Sequence, residues 1–415
     1  MRKEILIAHR LNSAQTGEGK EMSRPAVRVA FIGIVIGIVV MLLSLFIIVG
    51  FKQTITDKVI GTAAHVQIIN SNSREHQFQL APFCISDSLT KKIRSVNGVK
   101  SFSAYASQPA MLKTQDEFQT VIYKGYPTDD EQAWQYIQKS LIGGRLPQEN
   151  NEIVISSYIS DILGLPLDTS VFCYFISDNV KARKYKVTGI YNTDFSNFDN
   201  RYILGSLSEI QHINRWSEDE VSGIEVQAKS NNRADIYQLA DDVYFSVAYV
   251  PDRKDNYLTT ENIIDLYPDI FSWLDLLDMN VVVIIILMLV VAGFSIISGL
   301  IIIILESTQN IGILKAIGAD NRFLRRMFFF QFGTLVIKGL LLGNIIALSL
   351  AAIQYFTHII PLDATAYYVS YVPISFCWQW GLLLDVATLL VCGIIMYAPL
   401  GILKNISTAS VLRFE

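Results

Sequence analysis

The sequence predicts a membrane protein of four transmembrane α-helices with a large α+β domain inserted between spans one and two. Three observations predict it. Four apolar runs, 26–50, 280–305, 327–354 and 375–403, reach the length that a bilayer-crossing helix needs, which is about 20 residues. Charged residues make up 17% of the 415 and hydrophobic ones 51%, whereas a soluble chain carries about 25% charged. The stretch between the first two runs, 51–279, is mixed polar sequence with no comparable run.

The first run holds one charge, Arg28, at its edge. It is too long for the apolar part of a signal peptide, and Gly50-Phe51-Lys52-Gln53 is no small-residue cleavage site, so it reads as a retained helix. The second run has no charge, the third has Lys338 and the fourth has Asp385. Lysine and arginine asymmetry gives the direction. Arg2, Lys3, Arg10, Lys20 and Arg24 precede span one, Lys315, Arg322, Arg325 and Arg326 lie in the link 306–326, and Lys404 and Arg413 lie in the tail. The link 355–374 has neither residue type but carries Tyr367, Tyr368 and Tyr371, as an interfacial segment does. Both termini (1–25 and 404–415) and the link 306–326 are therefore expected in the cytoplasm, with 51–279 outside.

The outer segment reads as α+β in two lobes. β-prone stretches recur at 64–69, 119–124, 152–155, 171–175, 184–191 and 223–227, with turn formers between them. Ile85, Leu89 and Ile93 have helical spacing and end at Asn97-Gly98. A second helical region over 153–163 ends at Gly164. Strand–helix–strand order around 85–124 predicts a βαβ-like lobe.

No catalytic pattern is present. There is no G-x-S-x-G, H-E-x-x-H or G-x-x-x-x-G-K-[ST]. Gly17-Glu18-Gly19-Lys20 follows no strand and is a loop. Of five histidines only His65 and His76 are near each other, and Asp194 and Asp199 flank Phe195 and Phe198 in what reads as a hydrated loop. The cysteines have no metal-type spacing: Cys377 and Cys392 sit by an apolar run, and Cys84 and Cys173 are either joined in an oxidising compartment or free. The net charge of −4 gives no basic surface for a nucleic acid.

Within the spans, Gly33/Gly37 and Gly339/Gly343 form G-x-x-x-G pairs, which pack either two subunits or helices of one chain. Lys338 lies about 17 Å from the inner face and Asp385 about 15 Å from the outer one. In a core about 30 Å thick these depths coincide, which predicts an ion pair between spans three and four.

The link after span two reads Glu306-Ser307-Thr308-Gln309-Asn310-Ile311-Gly312-Ile313-Leu314-Lys315-Ala316-Ile317-Gly318-Ala319. Ile313, Leu314 and Ile317 are expected on one face of a short helix that Gly318 stops. This run closely resembles the link of FtsX-domain (MacB-like, type VII) ABC transporter permeases, E-x-T-x-x-I-G-I-L-[KR]-A-[IL]-G-A. Val96-Asn97-Gly98-Val99, Gly143-Gly144-Arg145-Leu146-Pro147, Val187-Thr188-Gly189-Ile190-Tyr191 and Tyr371-Val372-Pro373-Ile374 are similar to landmarks of the lipoprotein-releasing (Lol-type) subunits. Lys338 departs from the family's glycine pattern in span three.

The resemblance implies a non-catalytic inner-membrane subunit with its α+β domain in the periplasm. It binds no cofactor itself; ATP and Mg belong to a cytoplasmic ABC ATPase dimer. Glu306, Thr308, Gln309, Ile311, Gly312, Ile313, Leu314, Lys315, Ile317 and Gly318 would couple that ATPase to the spans. The other implied partners are a second permease subunit (same or related chain), an acylated lipoprotein cargo and a periplasmic lipoprotein carrier. Met41, Leu42, Leu45 and Phe46 would face the cargo's acyl chains. The alternatives are an export permease for small molecules or peptides, whose relatives usually carry the ATPase in the same chain, and a cell-division-type transducer.

Overall fold

The computed structural model describes residues 23–73, 81–175, 180–250 and 257–401, without the side chains of 23–27, Glu306 and Gln309. The basic residues of both termini other than Arg24, the Gly17–Lys20 loop and His76 lie outside the described residues.

In chain order, α1 (Ser23–Ala63) precedes β1 (Val66–Asn70), β2 (Phe83–Cys84), α2 (Asp87–Ser95), β3 (Val99–Lys113), β4 (Phe118–Tyr126) and α3 (Glu131–Lys139). Then come β5 (Leu141–Gly144), β6 (Glu152–Ser156), α4 (Ser157–Leu163), β7 (Ser170–Phe175), β8 (Lys181–Tyr191), α5 (Ser196–Asp199), β9 (Tyr202–Ser206) and α6 (Leu207–Asn214). β10 (Glu220–Val221), β11 (Gly223–Ala228), α7 (Arg233–Val247), β12 (Leu258–Asn262) and α8 (Ile263–Leu266) complete this part. α9 (Pro268–Glu306), α10 (Thr308–Ala316), α11 (Asn321–Thr357), α12 (Ala364–Tyr367) and α13 (Trp378–Leu400) follow. The chain divides into two units, one of Gln53–Ser272 with Pro361–Tyr371, the other of Met1–Lys52, Trp273–Ile360 and Val372–Glu415, whose described part is mostly helical.

α1, α9, α11 and α13 are long and apolar enough to cross a membrane. The first three are 41, 39 and 37 residues long, about 55–62 Å each. They overrun the apolar runs because polar residues at their ends continue the helical hydrogen bonding. In the helical unit, Ile34, Ile38, Met41, Leu42 and Phe46 of α1 pack in one core with Ile296, Leu300 and Ile304 of α9 and with Phe332, Val336 and Ala347 of α11.

The α+β unit has two lobes. In one, β12, β1, β11 and β3 form an antiparallel sheet in that order. β1 and β3 are thus parallel with β11 between them, and β11 and β12 are parallel with β1 between them. With α2 and α7 as the connections, this is the split β-α-β-β-α-β arrangement of ferredoxin-like lobes. The expected βαβ is present in this split form, but its second strand is β3; the 119–124 stretch belongs to the other lobe. Leu89 and Ile93 of α2 and Leu239, Val243 and Val247 of α7 pack on Val66, Ile68, Ile224 and Val226.

The other lobe is a closed ring. β3 pairs β4, β4 pairs β9, β9 pairs β6, β6 pairs β8, β8 pairs β7, and β7 returns to β3. Six strands close a barrel, which removes edges. Alternating residues fill it: Tyr123, Phe175 and Tyr185 sit with ring centroids 5.7–6.2 Å apart. Gly205 on β9 is required there, since a Cβ would lie 1.9 Å from the Tyr123 hydroxyl oxygen. Cys173 points into this interior, where burial pushes its thiol up to about 12. Cys84 lies in β2, opposite Glu220. The two cysteines are not joined in a disulfide. The region 153–163 splits into strand β6 and helix α4, because the Ser156 side chain caps α4 by accepting from the Ile159 N–H (3.1 Å).

The segment 361–371, expected as a loop, packs within the α+β unit. Lys58 donates to the Tyr368 carbonyl (3.2 Å) and pairs with Asp194 (3.3 Å), which also accepts from Ser370 (3.2 Å). The Phe195 and Tyr368 rings lie 5.7 Å apart.

Candidate functional site: the short helix between two long ones

α10 follows α9 after Ser307 and is closed by Gly318. Gly318 has φ +99, a left-handed conformation that favours glycine. The Gly318 N–H donates to the Lys315 carbonyl (3.0 Å) and the Ala319 N–H to that of Leu314 (2.9 Å), satisfying the last carbonyls of the helix. Thr308 turns its hydroxyl back onto the Leu305 carbonyl.

The apolar residues of α10 do not form the single face expected. Ile311 is fully buried and Gly312 is buried, while Leu314 packs partly against the same core. Ile313 and Ile317 are 51% and 80% exposed. Positions 311 and 314 are one helical neighbour pair and 313 and 317 another, and the two pairs point apart. One pair holds the helix to the bundle, while the other presents two large apolar side chains outward. The side chains of Glu306 and Gln309 lie outside the described residues.

Two other expectations need correction. Lys338 and Asp385 form no ion pair: the Asn344 amide donates to both Asp385 oxygens (3.1 and 3.2 Å), and Lys338 is exposed. Lys338 lies six residues before Asn344, about 9 Å along α11 and about 240° around it, so it shares neither the height nor the face of Asp385. The depth estimate misled because α13 starts at Trp378 and α11 at Asn321, not at the ends of the apolar runs. Met41, Leu42 and Phe46 are 1%, 1% and 2% exposed and form core, with Leu45 half-buried. Met41, Leu42 and Phe46 hold helices together and leave no face for an acyl chain, while Leu45 keeps part of its surface outward.

The four glycines lie at helix contacts within the chain, close at Gly33, Gly339 and Gly343 and of ordinary spacing at Gly37. A Cβ on Gly33 would come 2.8 Å from Ser295 Oγ of α9, and one on Gly37 4.0 Å from Ala292 Cβ. Gly339 and Gly343 of α11 face Ile34 and Ile38 of α1, each at 2.9 Å.

Sequence reading missed the polar interior of the α+β unit. Lys124 Nζ and Glu225 Oε1 are 2.6 Å apart with side chains 5% and 9% exposed. Tyr126 donates to the other Glu225 oxygen (2.9 Å), and the rings of Tyr105, Tyr126 and Tyr202 surround the ammonium at 4.9–5.9 Å. Such pairs were discoverable only as polar residues in strands otherwise apolar. His65 is buried: its Nδ1 lies 3.1 Å from the Ala228 nitrogen and 3.0 Å from Gln227 Oε1, and its Nε2 lies 2.9 Å from Asn231 Oδ1. Burial lowers its pKa. Burial likewise raises the carboxyl of Asp199, which accepts from the Thr193 hydroxyl (2.6 Å), to about 6; this residue is core, not a hydrated loop. Among the described residues no group of histidine, cysteine and acidic side chains has the arrangement of a metal site.

Four helices of membrane-crossing length joined to an α+β unit are the architecture of a multi-pass membrane protein with a large domain outside the spans. Residues 29–241 match the MacB-like periplasmic core domain, and 282–408 match the FtsX-like permease C-terminal domain. The chain belongs to the family of ABC permeases with a MacB-like core domain and an FtsX-like domain. It is 22% identical over 411 residues to the lipoprotein-releasing system transmembrane protein LolE of Haemophilus influenzae, covering 92% of each chain. It is 20% identical over 364 residues to the corresponding LolC protein of Neisseria meningitidis serogroup B, covering 83% of each. Among solved structures, the periplasmic region of MacB from Actinobacillus actinomycetemcomitans is similar at 15% identity and a TM-score of 0.34, covering 51% of this chain and 95% of that one.

Proposed function

We propose that the chain is the permease subunit of an ABC complex that extracts acylated lipoproteins from the inner membrane and passes them to a periplasmic carrier. A separate cytoplasmic ATPase dimer, holding ATP and Mg, supplies the work, and a second permease subunit completes the complex. Both termini and α10 are cytoplasmic in this reading, and the α+β unit, inserted between spans one and two, is periplasmic.

The observation that carries it is the divided apolar surface of α10. A helix anchored by Ile311 and Leu314 while exposing Ile313 and Ile317 suits a groove on a soluble partner. The names of the two lipoprotein-releasing relatives support the cargo. With α1's buried residues excluded, acyl chains would meet exposed apolar side chains such as Ile32 and Ile36 of α1 and Ile286 and Val290 of α9.

Depletion of the protein in its host, followed by membrane fractionation, tests the reading. Accumulation of acylated lipoproteins in the inner membrane supports it. An unchanged distribution removes the cargo and leaves the exporter or transducer reading in its place.

A further inference from the structure

β3 is 15 residues long, but its two edges are not used equally. β4 lies along it from Lys113 only back to Ala106, and β7 only along 110–113. Over 99–105, β3 pairs with β11 alone among the described residues. The reason is local. β4 ends at Tyr126, and Pro127, which has no N–H to give a ladder, turns the chain into α3. Asp130 caps α3 by accepting from the Gln132 and Ala133 N–H groups (3.1 and 3.3 Å).

A cleft of about 1080 Å³ lies over this unpaired stretch. Lys100, Ser101 and Ser103 of β3 line it with Glu225 and Gln227 of β11, and its walls are α3 and the last turns of α1. The two serines are small and leave the strand's backbone approachable. Charge in the lining is balanced: Asp57, Glu131 and Glu225 stand against Lys100, Lys139 and Arg145. Glu225 is already neutralised by Lys124, and Arg145 by Glu152. What remains is Asp57 and Glu131 against Lys100 and Lys139, set among apolar side chains such as Trp134 and Leu141 and the amides of Gln132, Gln135 and Gln138 of α3. Such a surface offers donors and acceptors to an uncharged partner that has both.

We propose that this cleft binds a single extended polypeptide, which adds as a strand to the open edge of β3 at 99–105. An unpaired strand edge is a template for another strand, and strand addition is a recurrent mode of peptide recognition. Seven residues of strand are about 23 Å long. A cleft walled by α3 and α1 admits one chain of that length, not the edge of a folded sheet. The occupant is therefore the cargo's own chain next to its acylated end, an assignment of source that rests on the lipoprotein reading.

The test uses the full-length protein in lipid nanodiscs with p-benzoylphenylalanine at Ser103, Ser101 or, as a control, the exposed Phe118. The probe is a synthetic peptide of alternating serine and threonine, acylated on an N-terminal cysteine. A second probe has the same sequence with alternate residues N-methylated, so that it cannot pair along an edge. The proposal expects crosslinking from 101 and 103 that falls about tenfold with the methylated probe, several main-chain hydrogen bonds being lost. Because both probes meet the same variant, misfolding cannot produce that contrast. Equal crosslinking of both probes overturns strand addition. Crosslinking from 118 but not from 101 or 103 overturns the site and leaves the cargo reading standing. No crosslinking from any position overturns the proposal, and the fractionation experiment then decides separately whether lipoproteins are the cargo.

Discussion

The divided surface of α10 makes Ile311 and Ile317 experimentally separable. Replacing Ile311, which is fully buried, with alanine opens a cavity in the helical core; such changes cost about 2–5 kcal/mol. Replacing Ile317, which is 80% exposed, removes almost no contact within the chain. If α10 docks on an ATPase, Ile317 loses its exposed area there. Full burial of such a side chain contributes about 1.5–3 kcal/mol, so Ile317→Ala weakens association by about 1–2 kcal/mol, or roughly 5- to 30-fold. Ile313, 51% exposed, should lose about two-thirds of that. The assay is the dissociation constant between the purified permease in nanodiscs and its partner ATPase, paired with the permease's own thermal midpoint. Ile317→Ala should change the first and leave the second. If Ile317→Ala instead lowers the midpoint and leaves association intact, α10 is a packed connector and the docking argument fails.

Other outcomes follow from the α+β interior and the helix contacts. Glu225→Gln leaves the Lys124 ammonium buried without its carboxylate and should cost about 3–5 kcal/mol; the double variant with Lys124→Met should lose less than the sum of the two single changes, read from denaturation of the full-length protein. Asp199, held up to about 6, binds a proton more tightly folded than unfolded. The stability this confers is fully present below about pH 4 and is lost as pH rises through about 6, amounting to about 3 kcal/mol. Thermal midpoints at pH 5 and pH 8 should therefore converge in Asp199→Asn. Gly343→Val forces new atoms against Ile38 and should destabilise by about 1–3 kcal/mol without altering oligomeric state, measured by thermal unfolding and by mass in nanodiscs.

The long helices were legible because apolar runs of bilayer length have few other meanings, and their ends were not, since helical hydrogen bonding continues through polar residues such as Asp57 and Arg322. Strands β1, β4, β6, β7, β8 and β11 announced themselves by β-branched and aromatic content. β3 did not: Ser101, Ser103, Ser107, Gln108 and Pro109 hide it, because one face over its first half meets a polar cleft and its second half bends into the barrel. The short helix α10 was legible from its motif, yet which of its isoleucines point inward depends on the bundle beside it. Lys338 and Asp385 showed the limit of depth arithmetic: height along two helices says nothing about the direction each side chain faces.

The pairing of β1 sets an order on how the α+β unit is completed. β1 is the first strand after α1, but its neighbours are β11 and β12, and Val66 meets Asn262 about 200 residues later. The barrel strands, β3 to β9, can find one another while the chain is still emerging. β1 has no partner until nearly the whole segment has appeared, just before α9 begins. The split lobe therefore forms last, around a barrel already made, and a nascent chain stalled before β12 would hold β1 as an unpaired, aggregation-prone strand next to the membrane-crossing helix that delivered it.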